Sequence, residues 1–96
     1  MMVTDIQEFA ASKSVTLAIQ GLLALAQENK NVIDLRFEFA PHRNYLGVYH
    51  YEGEKAKDVH LVVMVENKEA LKDLLELEDK LIDCIGELKD KLGEVA

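Results

Sequence analysis

Three histidines and one cysteine are the side chains of this sequence best suited to bind a metal or attack a substrate. His42, His50 and His60 are separated by eight and ten residues, so no HxH, HxxxH or HExxH spacing occurs. A zinc site needs at least three converging ligands. We expect His42 in a turn, and His50 and His60 on opposite faces of a sheet. The pattern therefore predicts no metal site and no cofactor.

The single cysteine, Cys84, lies late in an acidic stretch and directly follows Asp83. A nucleophilic thiolate needs cationic neighbours or a helix N-terminus to lower its pKa, and this position offers neither. One cysteine also excludes a disulfide within the chain. We expect Cys84 to act as a small, buried apolar residue.

Acidic residues dominate the last third of the chain and account for much of the net charge of −7. Pairs such as Glu76/Lys80 and Glu87/Lys91 have the i,i+4 spacing typical of a solvated helix face. The alternative is an acidic stripe that imitates nucleic acid and blocks a basic groove on another protein. Direct nucleic-acid binding is not expected, because it requires an excess of lysine and arginine.

No glycine-rich phosphate loop, P-loop lysine or nucleophile elbow is present. The sequence therefore predicts no catalytic activity. The alternative is a small enzyme whose site assembles between subunits, with His42, Arg43 or His50 contributing.

These residues must be positioned by a short chain of 96 residues, 49% apolar and 30% charged, which is a globular profile. Hydrophobic periodicity predicts one α+β domain, residues 1–96, in two layers with the order α-β-β-β-α. We expect a three-stranded antiparallel meander with both helices packed on one face. The predicted elements are a helix at 5–29, strands at 32–39, 45–51 and 59–65, and a helix at 67–92.

The first predicted strand alternates strictly between apolar residues and the polar residues Asp34, Arg36 and Glu38. Such alternation indicates a sheet with one buried face. If Phe39 pairs with Leu46 across a tight turn, the second strand turns its tyrosines outward. A one-residue slip in the second strand would instead turn its tyrosines inward.

The third strand is apolar on both faces, which is unusual for a strand with one side in water. Its pattern is consistent with Val59, Leu61, Val63 and Val65 inside and His60, Val62 and Met64 outside. The candidate partner-binding face then comprises Arg36, Tyr45, Tyr49, Tyr51, His60, Val62 and Met64, since tyrosine and arginine are enriched at interfaces. The alternative is an ordinary solvated face with cross-strand tyrosine pairs.

The last helix is longer than its sheet, and apolar residues continue at heptad spacing into the overhang. An exposed apolar stripe of this kind needs a cover. The predicted cover is a second copy of the chain, forming a homodimer. The first helix, lying antiparallel beside the last, is the alternative. The predicted self-association residues are Leu81, Ile85, Leu88 and Leu92.

The predicted element order resembles that of the double-stranded-RNA-binding domain. In that family the second helix opens with lysines that bind phosphate, whereas residues 67–73 here read Asn-Lys-Glu-Ala-Leu-Lys-Asp. We infer no membership from order alone. The sequence predicts a small acidic protein–protein interaction module, homodimeric and cytoplasmic, with a possible protein partner and no membrane span.

Overall fold

The computed structural model describes the backbone of residues 2–95 and the side chains of residues 13–93. It confirms the α+β fold and the order helix–strand–strand–strand–helix. A short 3-10 turn, Pro41–Arg43, joins the first two strands. The elements are α1 (Met2–Glu28), β1 (Asp34–Ala40), β2 (Tyr45–Glu52), β3 (Lys55–Val63) and α2 (Asn67–Val95).

The three strands form one antiparallel sheet with β2 in the centre. Phe39 pairs with Leu46, as predicted. Asn44 closes the connection with a left-handed conformation (φ 57°), and its N–H donates to the Pro41 carbonyl at 3.1 Å. Asparagine tolerates this conformation better than most residues. The register therefore buries Leu46 and Val48, which are 1% and 0% exposed.

A β-bulge in the second hairpin reverses the predicted orientation of β3. Gly53 (φ 70°) forms the tight turn, and Tyr51 pairs with Ala56. His50, which precedes Tyr51 on β2, pairs with Asp58. Lys57, between Ala56 and Asp58, is therefore an extra residue with no partner on β2. One extra residue moves every later side chain to the opposite face. The prediction that Val59, Leu61, Val63 and Val65 face the core is therefore wrong.

Both helices pack on the same face of the sheet and run in the same direction. The first turns of α2 lie near Val15 and Ile19, and further along a Cβ built at Gly21 would lie 2.9 Å from Oε2 of Glu78. This direction follows from the topology, since β1 and β3 are parallel and each helix runs back along its adjoining strand. The alternative in which the first helix lies antiparallel to the last is therefore not observed.

Asn29 ends α1 and directs the chain into β1. Its side-chain Nδ2 donates to the Leu25 carbonyl at 2.8 Å. Its own carbonyl accepts from Val32 at 2.9 Å and Ile33 at 3.0 Å. These bonds satisfy backbone groups that a helix terminus otherwise leaves unpaired, and the turn allows Ile33 to be buried.

The core lies between the helices and the inner face of the sheet. Its fully buried large side chains come from α1, β2 and α2: Leu22, Leu46, Val48 and Leu74. The two helices are staggered, and the molecule measures 59 × 22 × 17 Å with a radius of gyration of 15.4 Å. None of the described residues covers the side of the sheet away from the helices.

Candidate protein-binding face of the sheet

The sheet side that faces away from the helices is called the outer face. Cross-strand pairing assigns residues to this side by alternation from the core residues Leu46 and Val48. It presents Asp34, Arg36, Glu38, Tyr45, Gly47, Tyr49, Tyr51, Val59, Leu61 and Val63.

An aliphatic row runs along β3 on the outer face. Val59, Leu61 and Val63 are 51%, 64% and 59% exposed. Together they leave an area on the order of 300 Å² of apolar surface in contact with solvent, a size at which exposed patches are commonly functional. An antiparallel sheet with a solvated side normally places polar residues there. This row is therefore the most unusual surface feature of the described residues.

Tyr49 lies across the middle of the outer face because Gly47 has no side chain. A Cβ built at Gly47 would lie 2.9 Å from Cε2 of Tyr49. On β3, Gly47 pairs with Leu61 and Tyr49 pairs with Val59. The tyrosine ring thus adjoins the aliphatic row and extends the apolar surface from β3 onto β2.

Arg36 is held at the other side of the face by two contacts. Its Nε and Nη2 donate to the two carboxylate oxygens of Asp34 at 3.2 and 3.1 Å. Its guanidinium carbon lies 3.9 Å from the ring centroid of Tyr51. The bidentate hydrogen bond to Arg36 lowers the pKa of Asp34 below its ordinary value. A guanidinium paired with a carboxylate and stacked on a ring is oriented before any partner arrives.

Tyr45 and Glu38 form a second polar pair on the outer face. The Tyr45 hydroxyl donates a hydrogen bond to Oε1 of Glu38. That bond raises the pKa of the tyrosine above its ordinary value, because ionisation would remove the donated proton. Both polar pairs restrict side-chain rotation on the outer face, which lowers the entropy lost on binding.

The sequence prediction for this face was correct for β1 and β2 and wrong for β3. Arg36, Tyr45, Tyr49 and Tyr51 lie on the outer face as expected. The remaining predicted residues lie on the helix side: His60, Val62 and Met64. Val62 is only 3% exposed. Sequence reasoning missed the aliphatic row, since no feature of its own residues signals the bulge at Lys57.

The predicted self-association residues of α2 are partly inside the chain's own core. Leu81 and Ile85 are 3% and 4% exposed, so a second chain cannot contact them without opening the fold. Leu88 is half-buried and Leu92 is 54% exposed. Only the end of the predicted seam remains accessible.

The histidines are distributed differently from the prediction. His50 and His60 lie on the same helix-facing side, because the bulge reverses His60. His42 and Arg43 are exposed in the 3-10 turn. His50 lies five residues along β2 from the start of that strand, roughly 17 Å at the usual strand rise. Within one chain, His42, Arg43 and His50 therefore do not converge on a common site.

Among residues whose side chains are described, no group of three His, Cys, Asp or Glu side chains is placed to hold a metal ion. Cys84 is half-buried rather than fully buried. Neither helix, over its described length, contains a segment long and apolar enough to span a bilayer.

Comparison with known proteins leaves the outer face to be interpreted on its own geometry. No protein family model, curated protein or solved structure matches this chain.

Proposed function

We propose that this chain is a non-catalytic protein-binding module whose contact surface is the outer face. The observation that carries the proposal is the orientation of β3. If Lys57 paired with His50 in a regular hairpin, Val48 would pair with Val59 and the more apolar row would be buried. The bulge instead exposes that row beside Tyr49, at a cost that a partner would offset.

A protein partner suits this surface better than a small molecule. The face is an open sheet, whereas small ligands bind in concave pockets that enclose most of their surface. The amino-acid composition of the outer face also matches that of the centre of protein interfaces, where tyrosine and arginine anchors surround apolar contacts. Strands of seven, eight and nine residues give the sheet a projected area on the order of 400 Å², from a spacing of about 4.8 Å and a rise of about 3.3 Å. A standard interface covers about 800 Å² per partner, so the partner extends beyond the sheet.

Site-specific photocrosslinking in the source cells tests this proposal. A benzophenone amino acid replaces Leu61 or Val63 on the outer face. The matched control replaces Leu75, which is 49% exposed on α2. We expect one discrete protein adduct from each outer-face position and none from position 75. Purified adduct partner should then bind the wild type and lose at least tenfold in affinity for Leu61→Glu.

The location of the adduct also separates this proposal from acidic mimicry. Mimicry uses the charged side of α2 and predicts adducts from helix positions, with binding that falls steeply as salt increases. An adduct from position 75 alone, or none from positions 61 and 63, would refute binding through the outer face.

A further inference from the structure

Among the described residues, no strand pairs with the edge of β3 that points away from β2. β3 is the last strand in the sheet order. The Met64 N–H donates to the Asn44 carbonyl at 2.7 Å, and antiparallel ladder bonds alternate along a strand. Val62 and His60 lie two and four residues before Met64, so their backbone N–H and C=O groups also point toward β2. Val59, Leu61 and Val63 therefore direct theirs away from the sheet.

This edge lacks the usual protection along its central part. Natural edge strands carry prolines, inward charges or bulges that prevent pairing. Here the bulge at Lys57 and the lysine at Lys55 lie near one end of the strand. From Val59 to Val63 the only polar residue is His60. Five consecutive positions thus remain suitable for pairing with another strand.

A groove of about 450 Å³ lies between this edge and α2. Its helix wall contributes Asp73, Glu76 and Lys80. Glu69 and Glu87 follow the same side of α2 by helical spacing. The same spacing adds Asp83 and Lys91, so five carboxylates against two lysines make this side of the helix negative. A strand added at the edge would direct every second side chain toward this wall.

We propose that the β3 edge binds an extended segment of a partner protein as a fourth strand, with apolar and basic residues in alternation. The apolar side chains continue the row of Val59, Leu61 and Val63 on the outer face. The basic side chains enter the groove and meet Asp73 and Glu76. This inference rests on the proposed function and names the kind of partner; strand addition is a common mode of peptide recognition.

A synthetic probe tests strand addition directly. It is a capped, fluorescein-labelled nine-residue peptide of alternating valine and lysine, titrated with the full chain by fluorescence anisotropy. The first control has the same composition with valines and lysines in separate blocks. We expect the alternating peptide to bind at least tenfold more tightly than the block peptide. Only the alternating peptide places its valines on the outer face and its lysines in the groove.

Backbone methylation provides the sharper control. The added strand is antiparallel to β3, with its valines directly opposite Val59, Leu61 and Val63. In this arrangement the valine N–H groups point toward β3 and the lysine N–H groups point to solvent. N-methylation of the valines should abolish binding, whereas N-methylation of the lysines should leave most of it. Equal affinity for the two methylated peptides would overturn the proposal.

Charge reversal tests the groove. Asp73→Lys with Glu76→Lys should weaken the valine–lysine peptide by about tenfold, since two exposed ion pairs become repulsive. The matched control, Asp79→Lys with Asp90→Lys, makes the same change in net charge outside the groove. Its effect should be less than threefold, because charges beyond about 8 Å are screened at 0.15 M salt. A valine–glutamate peptide should show the reverse preference.

The outcomes separate this inference from the proposed function. If the alternating peptide binds no better than the block peptide, strand addition fails; crosslinks from Leu61 would then still support the outer face. If crosslinks and peptide binding both fail, the proposed function fails as well. If the chain forms a dimer in which the second copy covers the β3 edge and keeps the peptide from binding, the occupant of that edge is the second copy. That result would overturn the proposal.

Discussion

The orientation of β3 can be tested by the same substitution at two adjacent residues. Val62 is 3% exposed and Val63 is 59% exposed. Valine to alanine removes two methyl groups in each case and costs the same intrinsic strand propensity. The difference between the two variants therefore measures burial alone.

The expected magnitudes follow from the exposed fractions. At about 0.8 kcal/mol for each buried methyl or methylene group, Val62→Ala loses roughly 1.6 kcal/mol of transfer free energy. The cavity left in the core brings the loss in the free energy of unfolding to about 2 kcal/mol. Val63→Ala should lose about 0.5 kcal/mol, the usual limit for surface positions.

Urea denaturation followed by circular dichroism measures both losses. With a denaturant dependence of about 1–3 kcal/mol per molar, a difference of about 1.5 kcal/mol separates the two midpoints by roughly 0.5–1.5 M. Equal losses, or a larger loss for Val63→Ala, would refute the bulged register. The outer face would then lack its aliphatic row.

Three further predictions concern the hairpin, the tyrosine pair and the last helix. Deletion of Lys57 should remove the bulge and keep the exposed row, so that circular dichroism and probe binding resemble the wild type; loss of binding would contradict this. Because hydrogen bonding raises the pKa of Tyr45, the stability from its bond to Glu38 is present below its ordinary pKa of 10.0 and lost as pH rises through the folded value. In a titration at 295 nm, Glu38→Ala should therefore shift one tyrosine to lower pH; an unchanged curve would exclude the bond. If α2 mediates self-association, light scattering should give twice the chain mass for the wild type and a single chain mass for Leu88→Glu; equal masses would exclude that interface.

Local patterns predicted the fold class and most of the sheet. The alternation of β1 and the turn before Tyr45 were sufficient to assign the first two strands, because each has one clearly more apolar face. That is why Arg36, Tyr45 and Tyr49 were assigned to the correct side. The element order needed only periodicity and turn residues.

The orientation of β3 could not be predicted in this way. Both of its faces are apolar, so burial preference alone favours Leu61 over Val62, and it favours the wrong side. The deciding feature is one unpaired residue, Lys57, whose composition is ordinary for a strand end. Register depends on the geometry of the whole hairpin, which no local pattern in these residues encodes.

The direction of the helices follows from the order of the elements. Three antiparallel strands make β1 and β3 parallel, and short connections then force both helices to run back along them. Parallel packing places α1 against a different part of α2 than antiparallel packing does. Ile85, expected in the overhang that a second copy would cover, is buried within the chain's own fold.

The stagger of the two helices affects how the size of this protein in solution must be measured. A compact chain of 96 residues has a radius of gyration of about 12.5 Å, whereas this chain has 15.4 Å. A compact protein with that radius would contain about 170 residues, close to the length of two copies. A single chain will therefore elute from a sizing column ahead of a compact protein of the same mass. Elution volume would report its elongation, and scattering intensity or sedimentation equilibrium would report its mass.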